Sequence, residues 1–356
     1  MPAAKRDQPL VPNLDLRVNG SPLPPEAVAY VISLTVDDSV ELPSMFTLEL
    51  AGADTQGEAL PWVDDKRFDI GAEVEIKLGY GNEMARLIIG EITGLEPEFA
   101  FDRLPALTVR GYDRRHRLQR GRKTRTFVKQ KDSDIASKIA SEAGLTAEVK
   151  DSKVTHEYVL QANQTDLEFL WERARRIEYE VAVADKKLFF RPVSNAEGEA
   201  LTLAMEKDLL EFYPRLTSMG QVSEVSVRGW NVKEKKEIIG KSKTGDEVSK
   251  MGGQKSGGAI AQGAFGAAAE LLSAQPVMTQ AEADQMAKAR LNHAALGLIT
   301  GEGVCYGRTD LRAGKVIKIE GVGKRFSGQY YVTSAVHRYT TQRGYLTHFA
   351  VRRNAL

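Results

Sequence analysis

Hydrophobic and polar residues alternate with a period of two through much of the first hundred positions. Phe46, Leu48 and Leu50 are interleaved with Thr47 and Glu49, and Val74, Ile76 and Leu78 with Glu73, Glu75 and Lys77. That period sets one face of a strand on a core and the other in water. Leu87, Ile88, Ile89 and Ile92, then Leu107 and Val109, add shorter runs between Gly and Pro punctuation. Several short strands at this spacing predict a barrel or a sandwich.

From about residue 113 the pattern turns mixed. Ile135 and Ile139, with Ala136, Ala140 and Ala143, predict a helix over 133–143, capped by Asp132 or Ser133 and stopped by Gly144. Thr165 and Glu168 form a capping box ahead of the stripe Leu167, Leu170, Trp171, Ala174 and Ile177. Strands follow at 181–184 and 188–191, and both helices need a sheet or a neighbouring domain to cover their apolar faces. Residues 222–230 return to strand alternation. The stretch 233–275 is densely charged, then rich in Gly and Ala (Gly252, Gly253, Gly257, Gly258, Gly263, Gly266). It predicts a long flexible insertion that orders on contact with a partner. A helix over 280–296, with Thr279 and Glu282 as its capping box, precedes strands at 316–320 and 329–337. A final hairpin turns through 341–344 into a strand over 345–352.

A faint repeat runs through the chain. Gly71, Val74, Ile76 and Leu78 align with Gly314, Ile317, Ile319 and Gly321, and residues 107–110 align with 349–352. Two copies of one β-domain flanking an α/β insert would leave this trace.

The length, 356 residues, allows two or three domains with real cores. Net charge is +1, from 49 Lys and Arg against 48 Asp and Glu, which removes the basic balance of a dedicated nucleic-acid binder. A lone cysteine, Cys305, excludes an intrachain disulfide or a multi-cysteine metal site, and reads as a small buried residue. Lys5 and Arg6 are followed by no apolar run, and no run approaches ~18 residues, so the expectation is synthesis in the cytosol without stable membrane insertion.

Chemistry is sparse. Gly240-Lys241-Ser242 resembles the end of a phosphate loop, but Lys235 stands where the first glycine belongs. The pairs Gly301 with Gly303 and Gly321 with Gly323 lack the third glycine of a dinucleotide fingerprint and read as turns. The histidines His116, His156, His293, His337 and His348 lack metalloprotease spacing, although His337 and His348 lie on the two arms of the last hairpin. No catalytic, cofactor-binding or metal-ligating residue is assigned. The sharpest charge feature is residues 110–125, where Arg110, Arg114, Arg115, Arg117, Arg120, Arg122, Lys123 and Arg125 place eight cations in sixteen positions. It reads as a surface for an acidic partner or as a locally paired connector, and the absence of interleaved aromatics argues against base stacking.

The run Phe68-Asp69-Ile70-Gly71, with Val74, Ile76 and Gly79, then Gly90-Glu91-Ile92 and Gly111-Tyr112-Asp113, resembles the N-terminal part of the phage late control D proteins. The segment 161–174, with Asn163, Asp166, Leu167, Phe169 and Arg173, is similar to that family and to the hub part of type VI secretion spike (VgrG) proteins. The stretch from Gly314 through Phe326, Tyr330 and His337 to Phe349 also fits. The resemblance implies a β-rich α+β fold: tube-like β-barrel domains at 1–112 and 216–356 flank an α/β insert at 113–215, with the flexible insertion at 233–275. It further implies a homotrimeric ring of pseudo-sixfold symmetry, the baseplate hub between the sixfold tail tube and a threefold spike. Partners so implied are the tail tube protein, a separate trimeric spike protein, baseplate wedge proteins and the tape-measure protein. No cofactor, enzyme activity or specific nucleic-acid binding is expected. A baseplate-associated cell-wall hydrolase or carbohydrate-binding protein is the alternative.

Overall fold

The computed structural model describes residues 11–52, 62–102, 105–195 and 201–356; Lys5 and Arg6 lie outside them. The fold is a β-rich α+β arrangement. Its first part comprises β1 (Pro12–Val18), β2 (Ser21–Pro22), α1 (Pro25–Ala29), β3 (Val31–Ser39) and β4 (Met45–Ala51). It continues with β5 (Glu73–Tyr80), β6 (Glu83–Glu98) and β7 (Ala106–Tyr112). The alternation read from sequence holds: Phe46, Leu48, Leu50, Val74, Ile76, Leu78, Leu107 and Val109 are buried in one core with Leu34 and Val36. Gly111 is required there, because an added Cβ would come within 2.3 Å of the Phe46 ring.

A short 3-10 turn over Arg114–Gln119 leads to β8 (Lys123–Lys131), α2 (Asp132–Glu142), β9 (Thr146–Val149) and β10 (Thr155–Gln164). Then come α3 (Asp166–Arg176), β11 (Tyr179–Ala184) and β12 (Lys187–Pro192). β8 pairs with β10, and β12 lies between β11 and β9. The predicted stripes of both helices, Ile135, Ile139, Leu167 and Leu170, are buried against Phe127, Val181 and Phe190. The α3 capping box closes in both directions: Glu168 N donates to Thr165 Oγ1 (3.2 Å) and Thr165 N to Glu168 Oε2 (2.9 Å).

The last part begins with β13 (Leu201–Ala204) and β14 (Leu209–Leu216). β15 (Glu224–Asn231), β16 (Lys236–Lys243), α4 (Gly257–Phe265), β17 (Ala269–Leu272) and α5 (Gln280–Ala295) follow. β18 (Ile299–Tyr306), β19 (Val316–Glu320), α6 (Gly323–Phe326), β20 (Gly328–Thr340) and β21 (Gly344–Arg353) complete the chain. Two expectations are corrected here. β13 and β14 belong with the C-terminal strands and not with the insert, because Leu201, Leu203 and Leu209 bury against Ile317 and Ile319. Residues 233–275 are not a bare flexible arm: β15, β16 and β17 form a sheet whose buried face, Val225, Val227 and Ile238, receives α5 through Ala283, Met286 and Leu291. Gly240 permits that approach, since an added Cβ would meet the Ala283 backbone at 2.2 Å.

One 13-stranded sheet runs in the order β14-β18-β21-β20-β3-β4-β7-β6-β5-β1-β2, with β13 joined through β19. Its two halves repeat one plan. β3, β4, β7, β6 and β5 are neighbours in that order, and so are β14, β18, β21, β20 and β19. Two of the irregularities match. β3 bulges between Val31 and Ser33, and β14 between Leu209 and Glu211. β6 bulges against β7 between Ile92 and Gly94, and β20 against β21 between Val332 and Ser334. Bulges re-aim a strand and are built features, so two shared ones fix an alignment that amphipathic alternation cannot. Gly71 N donates to Ile92 O, as Gly314 N does to Val332 O, which places the first sequence match in structural register. The second match is corrected by two residues: Gly111 faces Ile92 as Val351 faces Val332, so Val109 corresponds to Phe349.

Candidate functional site

Most of the cation run 110–125 is taken up in ion pairs: Arg110 holds Glu96 within the first sheet (2.7 Å), and Arg114 ties that sheet to the middle unit. Arg114 is buried and divides its guanidinium three ways: Nη2 donates to Glu73 on β5 (2.5 Å), Nε to Glu91 on β6 (3.2 Å) and Nη1 to Asp185 in the β11–β12 turn (2.5 Å). Arg117 also donates to Glu91, and His116 Nε2 lies 2.8 Å from its Oε2. Burial pushes the Glu91 carboxyl up, but the hydrogen bonds from Arg117 and His116 and the nearby Arg114 charge hold it below the usual range. Arg115 is tied to Asp113 (Nε to Oδ2 2.8 Å) and to Ser44 (2.9 Å). Further on, Arg122 pairs with Glu168, and Lys123 and Arg125 pair with Asp166 at the start of α3. Of the two sequence readings the connector is the observed one. Its acidic partners went unassigned in the sequence, yet one signal was there: Glu91 interrupts an apolar run as a charged residue that must be buried.

A second buried network joins the middle unit to α5. Arg173 donates to Asp132 (Nε to Oδ1 2.6 Å) and, through Nη2, to His156 Nε2 at 2.9 Å. The same Nε2 lies 3.2 Å from Asp132 Oδ2, and Nδ1 lies 3.5 Å from Glu282 Oε1, so the imidazole is held between the arginine and two carboxylates. Arg176 completes the link to Glu282 at 3.0 Å. Burial raises the Asp132 pKa, and the His156 hydrogen bond and the Arg173 charge outweigh it.

The other sequence candidates separate. His337 and His348 occupy adjacent register positions on β20 and β21, but His337 is buried and His348 exposed, because neighbouring positions face opposite sides. His337 accepts or donates at Nδ1 to the Tyr345 hydroxyl at 2.8 Å, and burial brings its pKa down to about 3. Cys305 is buried on β18 with its thiol pushed up to about 12 by burial, which keeps it protonated. Gly240-Lys241-Ser242 lies within β16 rather than in a loop. Gly301 and Gly303, expected at a turn, lie within β18, where added Cβ atoms would strike the rings of Phe212 and Phe349. Gly321 and Gly323 do form the expected turn, with φ near +80°. Among the described residues, no group of three His, Cys, Asp or Glu side chains is placed to hold a metal ion, and no helix is long and apolar enough to cross a membrane.

A cleft of about 590 Å³ opens between α3, α5 and the C-terminal strands, lined in part by Trp171, Glu178, Glu180, His293 and Tyr331. Glu178 has a buried Oε1 without a hydrogen-bond partner, and burial raises its pKa to about 8. Its neighbour Glu180 is engaged by Arg191 Nε (2.8 Å) and the Tyr331 hydroxyl (3.1 Å).

The two halves of the long sheet meet where β3 pairs with β20, from Ser33 opposite Thr340 to Ser39 opposite Ser334. Thr341 N donates to Ile32 O and Val40 N to Thr333 O, so by alternation Val36 and His337 are a hydrogen-bonded pair, whereas Asp37 and Val336 are not. Arg312 latches this seam: Nε donates to Asp38 on β3 (2.8 Å) and Nη2 to Leu87 O on β6 (2.8 Å). Among the described residues, two edges equivalent to this seam have no strand beside them. One is the outer edge of β14, the other the edge of β6 beyond its pairing with β5.

This architecture is that of solved tail proteins. A 43 kDa tail protein of a Shewanella oneidensis prophage matches with TM-score 0.72 and 12% identity, over 96% of this chain and 98% of that one. A Neisseria meningitidis tail protein matches with TM-score 0.68 and 12% identity, over 96% and 97%. An E. coli component of the type VI secretion system, described as similar in structure to the T4 bacteriophage tail proteins gp27 and gp5, matches with TM-score 0.59 and 14% identity, over 96% and 77%. At such identities the likeness is one of fold. Residues 9–341 match the family described as the Alg8 N-terminal domain, and the chain belongs to that family. No curated protein matches it in sequence.

Proposed function

We propose that this chain is the structural hub of a contractile phage tail or tail-like injection particle, working as a homotrimer. The observation that carries the reading is the internal repeat: two β units share strand order and bulge positions. Three chains would therefore present six similar units to a sixfold tail tube and a threefold face to a separate spike. Residues up to 112 and from 201 onward form the two tube-like units; the middle unit braces the first through Arg114 and its partners and meets the second through Arg176 with Glu282 and through Glu180 with the Tyr331 hydroxyl. Wedge proteins and the tape-measure end are the further neighbours in such a particle. The chain is made in the bacterial cytoplasm and carries no reaction of its own.

The test is solution mass by light scattering over a concentration series, alone and with the candidate spike. A three-chain mass, or a three-to-three complex, is expected. A monomer under both conditions overturns the hub. One observation favours the hydrolase reading: Glu178, a carboxyl protonated near neutral pH, shares a cleft with Glu180. Peptidoglycan cleavage that is lost in Glu178→Gln would replace the structural reading.

A further inference from the structure

We propose that the two open edges, residues 93–99 on and just after β6 and the outer edge of β14, are the halves of one joint. Each receives the opposite edge of a second copy of this chain, in the register that β3 and β20 use internally. The proposal rests on the hub reading and adds where one copy meets the next.

The register follows from the repeat. Superposing the bulges of β6 and β20 sets Leu95 on Ala335, Glu96 on Val336, Pro97 on His337 and Phe99 on Tyr339. Superposing β14 on β3 sets Phe212 on Leu34, Pro214 on Val36, Arg215 on Asp37 and Leu216 on Asp38. The internal pairs of β3 with β20 then translate into Leu95 opposite Leu216, Glu96 opposite Arg215, Pro97 opposite Pro214 and Phe99 opposite Phe212. The chemistry matches on both faces: on the outer side Glu96, which Arg110 holds at 2.7 Å within the chain, meets the second cation Arg215, and aliphatic and aromatic residues meet on the inner side.

The edges also carry apolar surface that nothing among the described residues covers. Phe99 is 69% exposed and Tyr213 66%, while Tyr339, which stands at the Phe99 position in the internal seam, packs against the N-terminal core. Because the two edges differ, the contact is head-to-tail, and closure of the ring sets how many copies join. The prolines make this contact a weak one. Alternation points the backbone of Pro97 and Pro214 outward, where each lacks a donor, so both edges are blunted toward arbitrary strands.

The test uses the full chain with a cysteine pair, Glu96→Cys with Arg215→Cys, under mild oxidation. Cys305 is buried and does not compete. The pair corresponds to a position without mutual hydrogen bonds, where Cα atoms lie about 4.5 Å apart and a disulfide closes readily. Covalent oligomers ending at the ring species are expected. Glu96→Cys with Tyr213→Cys, on the same face but two residues out of register, should link at least about tenfold more slowly, since its diagonal spacing is ~7 Å or more. A three-chain assembly that never links through positions 96 and 215 overturns this joint and leaves the hub standing. Linking of either introduced thiol to the spike in place of a second copy overturns it as well. A chain monomeric even with spike removes both.

Discussion

Glu178 stands just ahead of β11 with φ +59°, a left-handed backbone that a glutamate adopts only when its surroundings impose it. Its carboxyl faces the cleft without a partner for Oε1, and burial rather than any neighbouring charge raises its pKa from 4.5 to about 8. Between those values the folded chain holds a proton that the unfolded chain has released. Stability therefore falls as pH rises from about 4.5 toward 8, and levels off above. Glu178→Gln keeps the shape without the ionisation, so its melting temperature should lack this component of the decline. Thermal melts of both proteins across that range check it; parallel curves would show that the carboxyl is ionised in the fold after all. The amide should also leave assembly unchanged.

Among the elements, the joint of the middle unit to the first sheet depends most on one side chain. Arg114 has 4% side-chain exposure and serves three carboxylates. Arg114→Met preserves the stem and strands the carboxylates. Glu73 and Asp185 reach solvent and are screened, and Glu91 keeps Arg117 and His116, so we expect a loss of about 2–4 kcal/mol rather than a larger one. Denaturant melts measure that loss, and hydrogen exchange should rise first at the β11–β12 turn that holds Asp185. Uniform exchange would mean that the arginine does not brace the units. The cations were legible in the sequence, but their partners were not, because Glu73, Glu91 and Asp185 are brought in from three separate elements. Strands with one face on a core, such as β4 and β5, could be read from alternation alone. β14 could not: a bulge at Leu210 breaks its period, and Tyr213 and Arg215 face outward beside an open edge. The repeat was legible only modulo two, since an amphipathic strand matches itself at every even shift; the bulges removed that ambiguity.

At the scale of the whole molecule, the internal seam and the proposed joint between copies share a register but differ in strength. Within the chain, Arg312 bonds Asp38 and the Leu87 carbonyl across the seam, and Val36 and His337 exchange backbone hydrogen bonds at its centre. Between copies, Leu216 replaces Asp38, so no ionic latch forms there, and Pro97 facing Pro214 removes both central hydrogen bonds. The joint between copies is thus the weaker of the two, and a ring built on it opens between chains before any chain opens within. Pro97→Val with Pro214→Val supplies two donors, and at about 1 kcal/mol net for each bond the association should tighten roughly tenfold or more. Light scattering on dilution reads the shift directly: the variant ring should persist at concentrations where the wild type dissociates. The same change removes the blunting of both edges, so the variant should also form larger, irregular aggregates that the wild type does not. Unchanged dissociation with no aggregation would mean that neither proline faces a neighbouring strand, and the open edges would then belong to some other contact.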